Sequence, residues 1–239
     1  MTLYGVLNAV YRALPAPARR WANERAPQPV RRVRRRVVTR LERGAKPDEL
    51  YNRHYYEDVV DPIMLASGDT IAASLQREFQ PRSAVDVGCG SGALMLALER
   101  VGVSCFGFDQ AAAALERCRA RGLEVARLDI VHDPLPPQRA DVAVSTEVAE
   151  HLPESASNRF VELLTTLAPT VVMTAALPGT GGKDHVNEQT SDFWITRFAT
   201  RGFTHERELV TRLRADWRAA GVDPIYFKSL LVFRRAGPA

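Results

Sequence analysis

The sequence predicts a doubly wound α/β domain, and three observations carry that expectation. From Ser83 onward, short apolar runs alternate with stretches of helical periodicity. The first apolar run turns into the first helical stretch through a glycine cluster, and no internal repeat interrupts the rhythm. Strands separated by helices need crossover connections, so their sheet is parallel and covered by helices on both faces.

The elements follow in order. Residues 84–87 read as the first strand and 93–100 as its helix, 103–108 as the second strand, 111–121 as a helix and 125–128 as the third strand. A fourth strand falls at 141–145, a helix at 157–167, a fifth strand at 170–175 and a helix at 192–201. The ending departs from the rhythm, with a strand at 203–206, a helix at 209–220 and a last strand at 226–234.

The 239 residues suffice for one substantial core plus an appendage, and the charge marks the appendage. Residues 1–46 hold twelve of the 32 Lys and Arg and only two acids, a net +10, which leaves 20 bases against 26 acids, or −6, for the rest. The chain therefore divides into a basic helical arm, residues 1–50, and a mildly acidic domain, residues 51–239. In the arm, Leu3, Leu7, Val10 and Leu14 recur at helical spacing before Pro15 and Pro17. Such an arm suits packing on the body or on a second subunit, as in a homodimer, with its arginines in water. Peripheral membrane contact and nucleic-acid binding are further uses of the same charge. No apolar run reaches the ~20 residues of a bilayer span, no secretory signal pattern opens the chain, and the three cysteines form no CxxC pair. These features fit a reducing, cytoplasmic setting.

The chemistry gathers at strand ends. In Val85-Asp86-Val87-Gly88-Cys89-Gly90-Ser91-Gly92 the glycines let backbone approach a ligand where a helix begins and offers unpaired N–H groups. Read as Gly88-x-Gly90-x-x-Ala93, with Asp109 placed for a ribose hydroxyl, the loop also fits an NAD(P)-dependent oxidoreductase. Three acids favour a different ligand. Asp86 suits a cationic amino group and would repel a pyrophosphate, Asp109 can accept from ribose hydroxyls, and Asp129 can accept from an adenine amine while Ile130 packs on the base. Together they describe adenosine joined to an amino acid.

With these motifs (VDVGCGSG, GFD, LDI and DVAVSTEVAEHL) the chain from about Tyr51 resembles the class I S-adenosylmethionine-dependent methyltransferases. The resemblance implies a Rossmann-like seven-stranded sheet whose final strand is antiparallel to its neighbours. It places Gly88, Cys89 and Gly90 beside the methionine part of the cofactor, Asp109 and Gln110 at the ribose, and Asp129 and Ile130 at the adenine. Thr146 and a Tyr51 or Tyr55 from a covering segment complete that site.

After the fourth strand comes Thr146-Glu147-Val148-Ala149-Glu150-His151-Leu152. As a helical turn it would set Glu147, Glu150 and His151 side by side at i, i+3 and i+4, half of a divalent-metal site, with His185 from the loop after the fifth strand as a further ligand. This E-x-x-E-H segment with a later histidine resembles a metal-assisted O-methyltransferase subset that includes small-RNA 2′-O-methyltransferases. The resemblance implies Glu147, Glu150, His151 and His185 as ligands, with Mg²⁺ ahead of Mn²⁺ or Zn²⁺. His151, Glu147 and His185 are the candidate catalytic residues, and His151 or His185 would take the acceptor's proton. Similar loops also occur in ubiquinone-pathway, sugar and polyketide O-methyltransferases. The expected acceptor is a hydroxyl of a sugar, glycan or related small molecule, and the alternative is an RNA 2′-hydroxyl. Phe193 and Trp194 fit either a wall over the acceptor or the core, and His132 and His205 fit the surface.

Overall fold

A computed structural model describes residues 13, 15, 50, 51 and 53–237. The basic arm expected at 1–50, with its proposed roles in dimers, membranes or nucleic acid, lies outside the described residues apart from Ala13, Pro15 and Leu50.

A short helical turn, Arg53–Tyr55, and a π-helical turn, Tyr56–Val60, run into α1 (Asp61–Phe79), which has a proline in its first turn. The alternation then begins: β1 (Ser83–Val87), α2 (Ala93–Arg100), β2 (Ser104–Asp109), α3 (Ala112–Ala120), β3 (Val125–Arg127) and β4 (Val142–Thr146). Next come the 3-10 turns Ala149–His151 and Glu154–Ala156, then α4 (Ser157–Leu167), β5 (Thr170–Thr174), α5 (Ser191–Ala199) and β6 (Phe203–His205). The chain finishes with α6 (Arg207–Ala219), α7 (Pro224–Lys228) and β7 (Leu231–Arg235).

The seven strands lie in the order β3-β2-β1-β4-β5-β7-β6. Pairings from β3 to β5 are parallel, whereas β7 is antiparallel to both β5 and β6. Successive strand residues feed opposite faces, as a two-residue period demands. Val142 and Val144 of β4, Val172 of β5 and Val232 of β7 join α1, α2 and α6 on one face. Ala143, Val171, Met173, Leu231 and Phe233 join α4 and α5 on the other. Trp217 of α6 is 1% exposed and donates from Nε1 to Ser74 Oγ of α1 at 3.1 Å, so even the polar atom of this core side chain is satisfied.

Two expectations are corrected. The run 226–234 is not one strand: Asp223 accepts from the Ile225 amide at 2.9 Å, Pro224 follows as the first helical residue, and α7 forms before β7. An Asp N-cap followed by proline is a helix-start signal that outweighs the apolar run behind it. His205, expected at the surface, is half-buried, with its ring 5.5 Å from that of Phe233.

Between β1 and β4 the strand order reverses direction, and the crevice outside the carboxyl ends there is where an open α/β sheet binds ligands.

Candidate active site

The floor of that crevice is the loop after β1. Gly88, Gly90 and Gly92 all have positive φ, and a Cβ on Gly88 would lie 2.3 Å from Val148 Cγ2. Only glycine allows the turn and lets the segment after β4 press against the loop. The amides of Gly88 and Cys89 donate to Phe108 O at 2.7 and 3.0 Å, and Ser145 Oγ donates to Val87 O at 2.7 Å, so β1, β2 and β4 are laced together at their ends.

Asp86, the penultimate residue of β1, is 3% exposed, and its Oδ1 has no hydrogen-bond partner among the described residues. Burial first, and the charge of Asp109 second, push its pKa up to about 7. An orphaned carboxylate beside the glycines fits the ammonium of an amino-acid ligand. Asp109 accepts from the Gly90 amide at 2.9 Å and the Ala111 amide at 2.8 Å, which aims it between the loop and α3. Burial raises its pKa against the pull of those backbone donors.

One cleft joins these residues, with about 1270 Å³ of space between atoms, part of it open to solvent. Asp86, Gly88, Cys89, Gly90, Asp109, Gln110, Ile130, Thr146 and Tyr55, the residues expected from sequence to meet a cofactor, all line it. Asp129 is the exception. Its carboxylate accepts from the amides of Val131 and His132 and pairs with His132 Nδ1 at 3.0 Å, so it faces its own loop while Leu128 and Ile130 line the cleft. The residue after a strand end points to the other side of it, and the local turn has claimed the carboxylate.

The segment after β4 is not the single helical turn expected. Glu147 adopts φ 55°, its amide donates to Thr174 Oγ1 at 3.1 Å, and its Oε1 accepts from Ser229 Oγ at 3.4 Å. The helical turn begins only at Ala149. Consequently the metal-capable group among the described residues is Glu150, His151 and His185, with donor atoms within 4.8 Å of one another, and Glu147 is outside it. Glu150 is fully buried, and neither carboxylate oxygen has a geometric hydrogen-bond partner among the described residues. Burial and the neighbouring Glu147 charge push Glu150 well up, and burial also raises Glu147. For His151 burial is the larger cause, with His185 adding to it, and its pKa falls to about 4, leaving a neutral imidazole at neutral pH. Two orphaned carboxylate oxygens beside two imidazoles fit a divalent cation.

The loop after β5 delivers His185. Its Nδ1 pairs with Glu188 Oε1 at 2.9 Å, and Glu188 also accepts from the Gly179 and Gly181 amides, which holds its carboxyl low despite partial burial. The His151 and His185 rings meet edge to face at 5.0 Å.

Some of the site escaped the sequence. Tyr56 and Val60 of the π-turn cover Gly90, whose Cβ would sit 3.3 Å from Tyr56 Cε1. Arg117 of α3 and Arg121 just after it pin that turn from the far side through Asp61, with Arg117 also reaching Glu57. Ile225 and Tyr226 of α7 close the wall near Glu147. Asp223-Pro224 announced α7, but no local signal announces the π-turn. Trp194 is core, 6.0 Å from Phe160, and neither it nor Phe193 lines the cleft.

Residues 85–173 match the methyltransferase domain family. An 83-residue stretch is 41% identical to a ubiquinone biosynthesis O-methyltransferase of Methylococcus capsulatus, covering 32% of this chain and 35% of that protein. The corresponding enzyme of Serratia proteamaculans is 36% identical over 83 residues and is covered to 34%. The chain thus spans about a third of the curated relatives it matches. Among solved structures, the methyltransferase domain of bacterial CtHen1-C superposes with a TM-score of 0.54 at 20% identity, covering 73% of this chain and all of that one. The magnesium protoporphyrin IX methyltransferase of Synechocystis PCC 6803, solved with S-adenosylhomocysteine, gives 0.56 at 14% identity over 86% of this chain and all of that one. The chain therefore has the Rossmann-like fold of the class I methyltransferases, with its match to the methyltransferase domain family running from β1 to β5.

Proposed function

We propose that the protein is an S-adenosylmethionine-dependent O-methyltransferase acting on a hydroxyl of a small organic acceptor. The observation that carries this reading is that one cleft holds both an adenosine-and-amine half, with Asp86 and Asp109 around the glycine loop, and a proton-handling half, with Glu150, His151 and His185. A dinucleotide oxidoreductase is disfavoured because its sheet is mostly parallel to the last strand, whereas β7 here runs antiparallel to both neighbours.

S-adenosylmethionine, when bound, supplies an electrophilic methyl group on a sulfonium. Asp86 balances the amine, Asp109 accepts from the ribose, and Ile130 and Leu128 flank the base. The tyrosine-rich turn over Gly90 excludes water from the glycine loop. Across the cleft, neutral His151 has one free ring lone pair, which together with that of His185 serves as a cation ligand, so the hydroxyl proton leaves to solvent. Glu150, His151 and His185 would together hold a divalent cation, and two imidazoles in that set suit Mn²⁺ or Zn²⁺ better than the Mg²⁺ expected from sequence. Such an ion, when held, would lower the pKa of a hydroxyl beside it.

The mouth of the cleft bears Val59, 45% exposed, and Ile225, 37% exposed, together with Ile63. That rim favours an acceptor with an apolar flank over a bare sugar or glycan. O-methylation in the two relatives named for ubiquinone biosynthesis is in line with it.

The test is transfer of labelled methyl groups to a panel of phenols, quinols, sugars and RNA 3′ ends, with and without chelator. The expected outcome is methylation of a small hydroxylated acceptor, lost with chelator and restored by Mn²⁺ or Zn²⁺. Glu150→Gln should lose roughly a hundredfold in turnover with unchanged affinity for S-adenosylhomocysteine. Transfer to RNA ends alone, or to no hydroxyl at all, would overturn the reading.

A further inference from the structure

Between the segment at 50–51 and the loop after β5, two polar groups meet at one nitrogen and a third holds one of them. Tyr51 Oη lies 3.1 Å from His151 Nδ1 and 3.3 Å from Asp184 Oδ2, and the backbone carbonyl of Asp184 lies 3.3 Å from the same Nδ1. Both groups that Asp184 offers can only accept: an amide carbonyl has no proton, and an ionised carboxylate has none either. The carbonyl contact therefore needs a proton on His151 Nδ1, and the carboxylate contact takes the phenolic proton of Tyr51. What remains between Tyr51 and His151 is a bond donated by Nδ1–H to the phenol oxygen. Every proton in the group is assigned by its neighbours, and His151 Nε2 keeps its lone pair.

From this geometry we infer that Tyr51 and Asp184 are positioning residues that fix His151 as the Nδ1–H tautomer and so present a basic Nε2 to the cleft. The inference rests on the proposed methyl-transfer reading only for its use of Nε2 as proton acceptor or ligand.

Other features of the same contact agree. Asp184 holds φ 54°, one of only three positive-φ non-glycine residues among those described, and a second, Glu147, lies in the same site. A backbone held in that region at a functional loop aims the carbonyl of Asp184 at His151 and its carboxylate at Tyr51. Burial, reinforced by the Asp184 charge, keeps the Tyr51 phenol protonated across the neutral range. The Tyr51 ring also packs edge to face on the imidazole at 5.7 Å, so the plane of His151 is fixed as well as its protons. Lys183 donates to the Leu50 carbonyl and sits 4.5 Å from the centre of the Tyr55 ring, which draws the two segments together beside the contact.

Residues that orient a catalytic or metal-binding histidine through its second nitrogen typically cost ten- to a hundredfold when removed. The experiment is long-range ¹H–¹⁵N correlation on metal-free protein labelled at histidine, near pH 7.5, with His151 assigned by the signals that His151→Gln removes. Wild-type protein is expected to show a protonated Nδ1 and a pyridine-like Nε2. Tyr51→Phe is expected to shift that pattern toward exchange between tautomers, and to lower kcat about ten- to a hundredfold. A proton on Nε2 in the wild type, or an unchanged tautomer in Tyr51→Phe, would overturn the inference. The assigned tautomer in a protein that methylates no hydroxyl would defeat the proposed function and leave this inference standing.

Discussion

Asp86 shows how one buried side chain couples ligand, charge and pH. Its carboxyl loses water on folding, sits near Asp109, and titrates near 7 when no cation is opposite it. The folded pKa lies above the unfolded value near 3.9, so the protonated form is favoured by folding. The stability this contributes is fully present below pH 4 and is lost as pH rises through 7, by on the order of a few kcal/mol. A bound ammonium needs the ionised form, so apparent affinity follows the ionised fraction. Calorimetry with S-adenosylhomocysteine should therefore give a Kd that falls about tenfold between pH 6 and pH 8, and Asp86→Asn should bind more weakly with a flat pH profile. A wild-type affinity independent of pH would show that Asp86 does not face the amine. That Asp86 and Asp109 line the cleft was legible from sequence, because a strand end beside glycines fixes where a side chain points. The orientation of Asp129 was not, since its own turn supplies three donors to that carboxylate.

The connecting elements shape the chemistry more than the strands do. The first six strands followed from apolar periodicity to within a residue or two, because a buried sheet tolerates little else, whereas the last apolar run hid the start of β7 behind α7. The segment after β4 misled because i, i+3, i+4 spacing matters only in a continuous helix, and Glu147 leaves helical space before the turn starts. Likewise, nothing local distinguishes the π-turn at Tyr56–Val60 from ordinary helix; the arginine pair, Arg117 and Arg121, that grips Asp61 is remote in sequence. The loop after β5 offers a sharper test. A Cβ on Gly182 would lie 2.2 Å from His185 Nε2, and the ring cannot swing away without breaking the Glu188 contact. Gly182→Ala should accordingly weaken Mn²⁺ or Zn²⁺ binding at least about tenfold, measured by titration calorimetry, while leaving S-adenosylhomocysteine affinity unchanged. Equal loss of both would mean that the loop is a scaffold for the whole cleft instead of a carrier for His185.

At the scale of the molecule, the fold was readable and the acceptor was not, for one physical reason. Burying a sheet on both faces writes itself into long stretches of sequence, whereas the cleft's lining beyond the strand ends is assembled from a few side chains between 51 and 64, at 147–152, 185 and 225–226 that no periodicity connects. Among the described residues no helix is long and apolar enough to cross a membrane. The central claim is that the crevice between β1 and β4 grips an adenosine bearing an amino acid. Titration of the full chain with S-adenosylhomocysteine and, separately, with NADH tests it most directly. The account expects a one-to-one complex with S-adenosylhomocysteine that Asp109→Ala weakens by at least about tenfold, roughly the loss of one charge-assisted hydrogen bond, and no binding of NADH. Heat released by NADH at the same site, with none from S-adenosylhomocysteine, would contradict it.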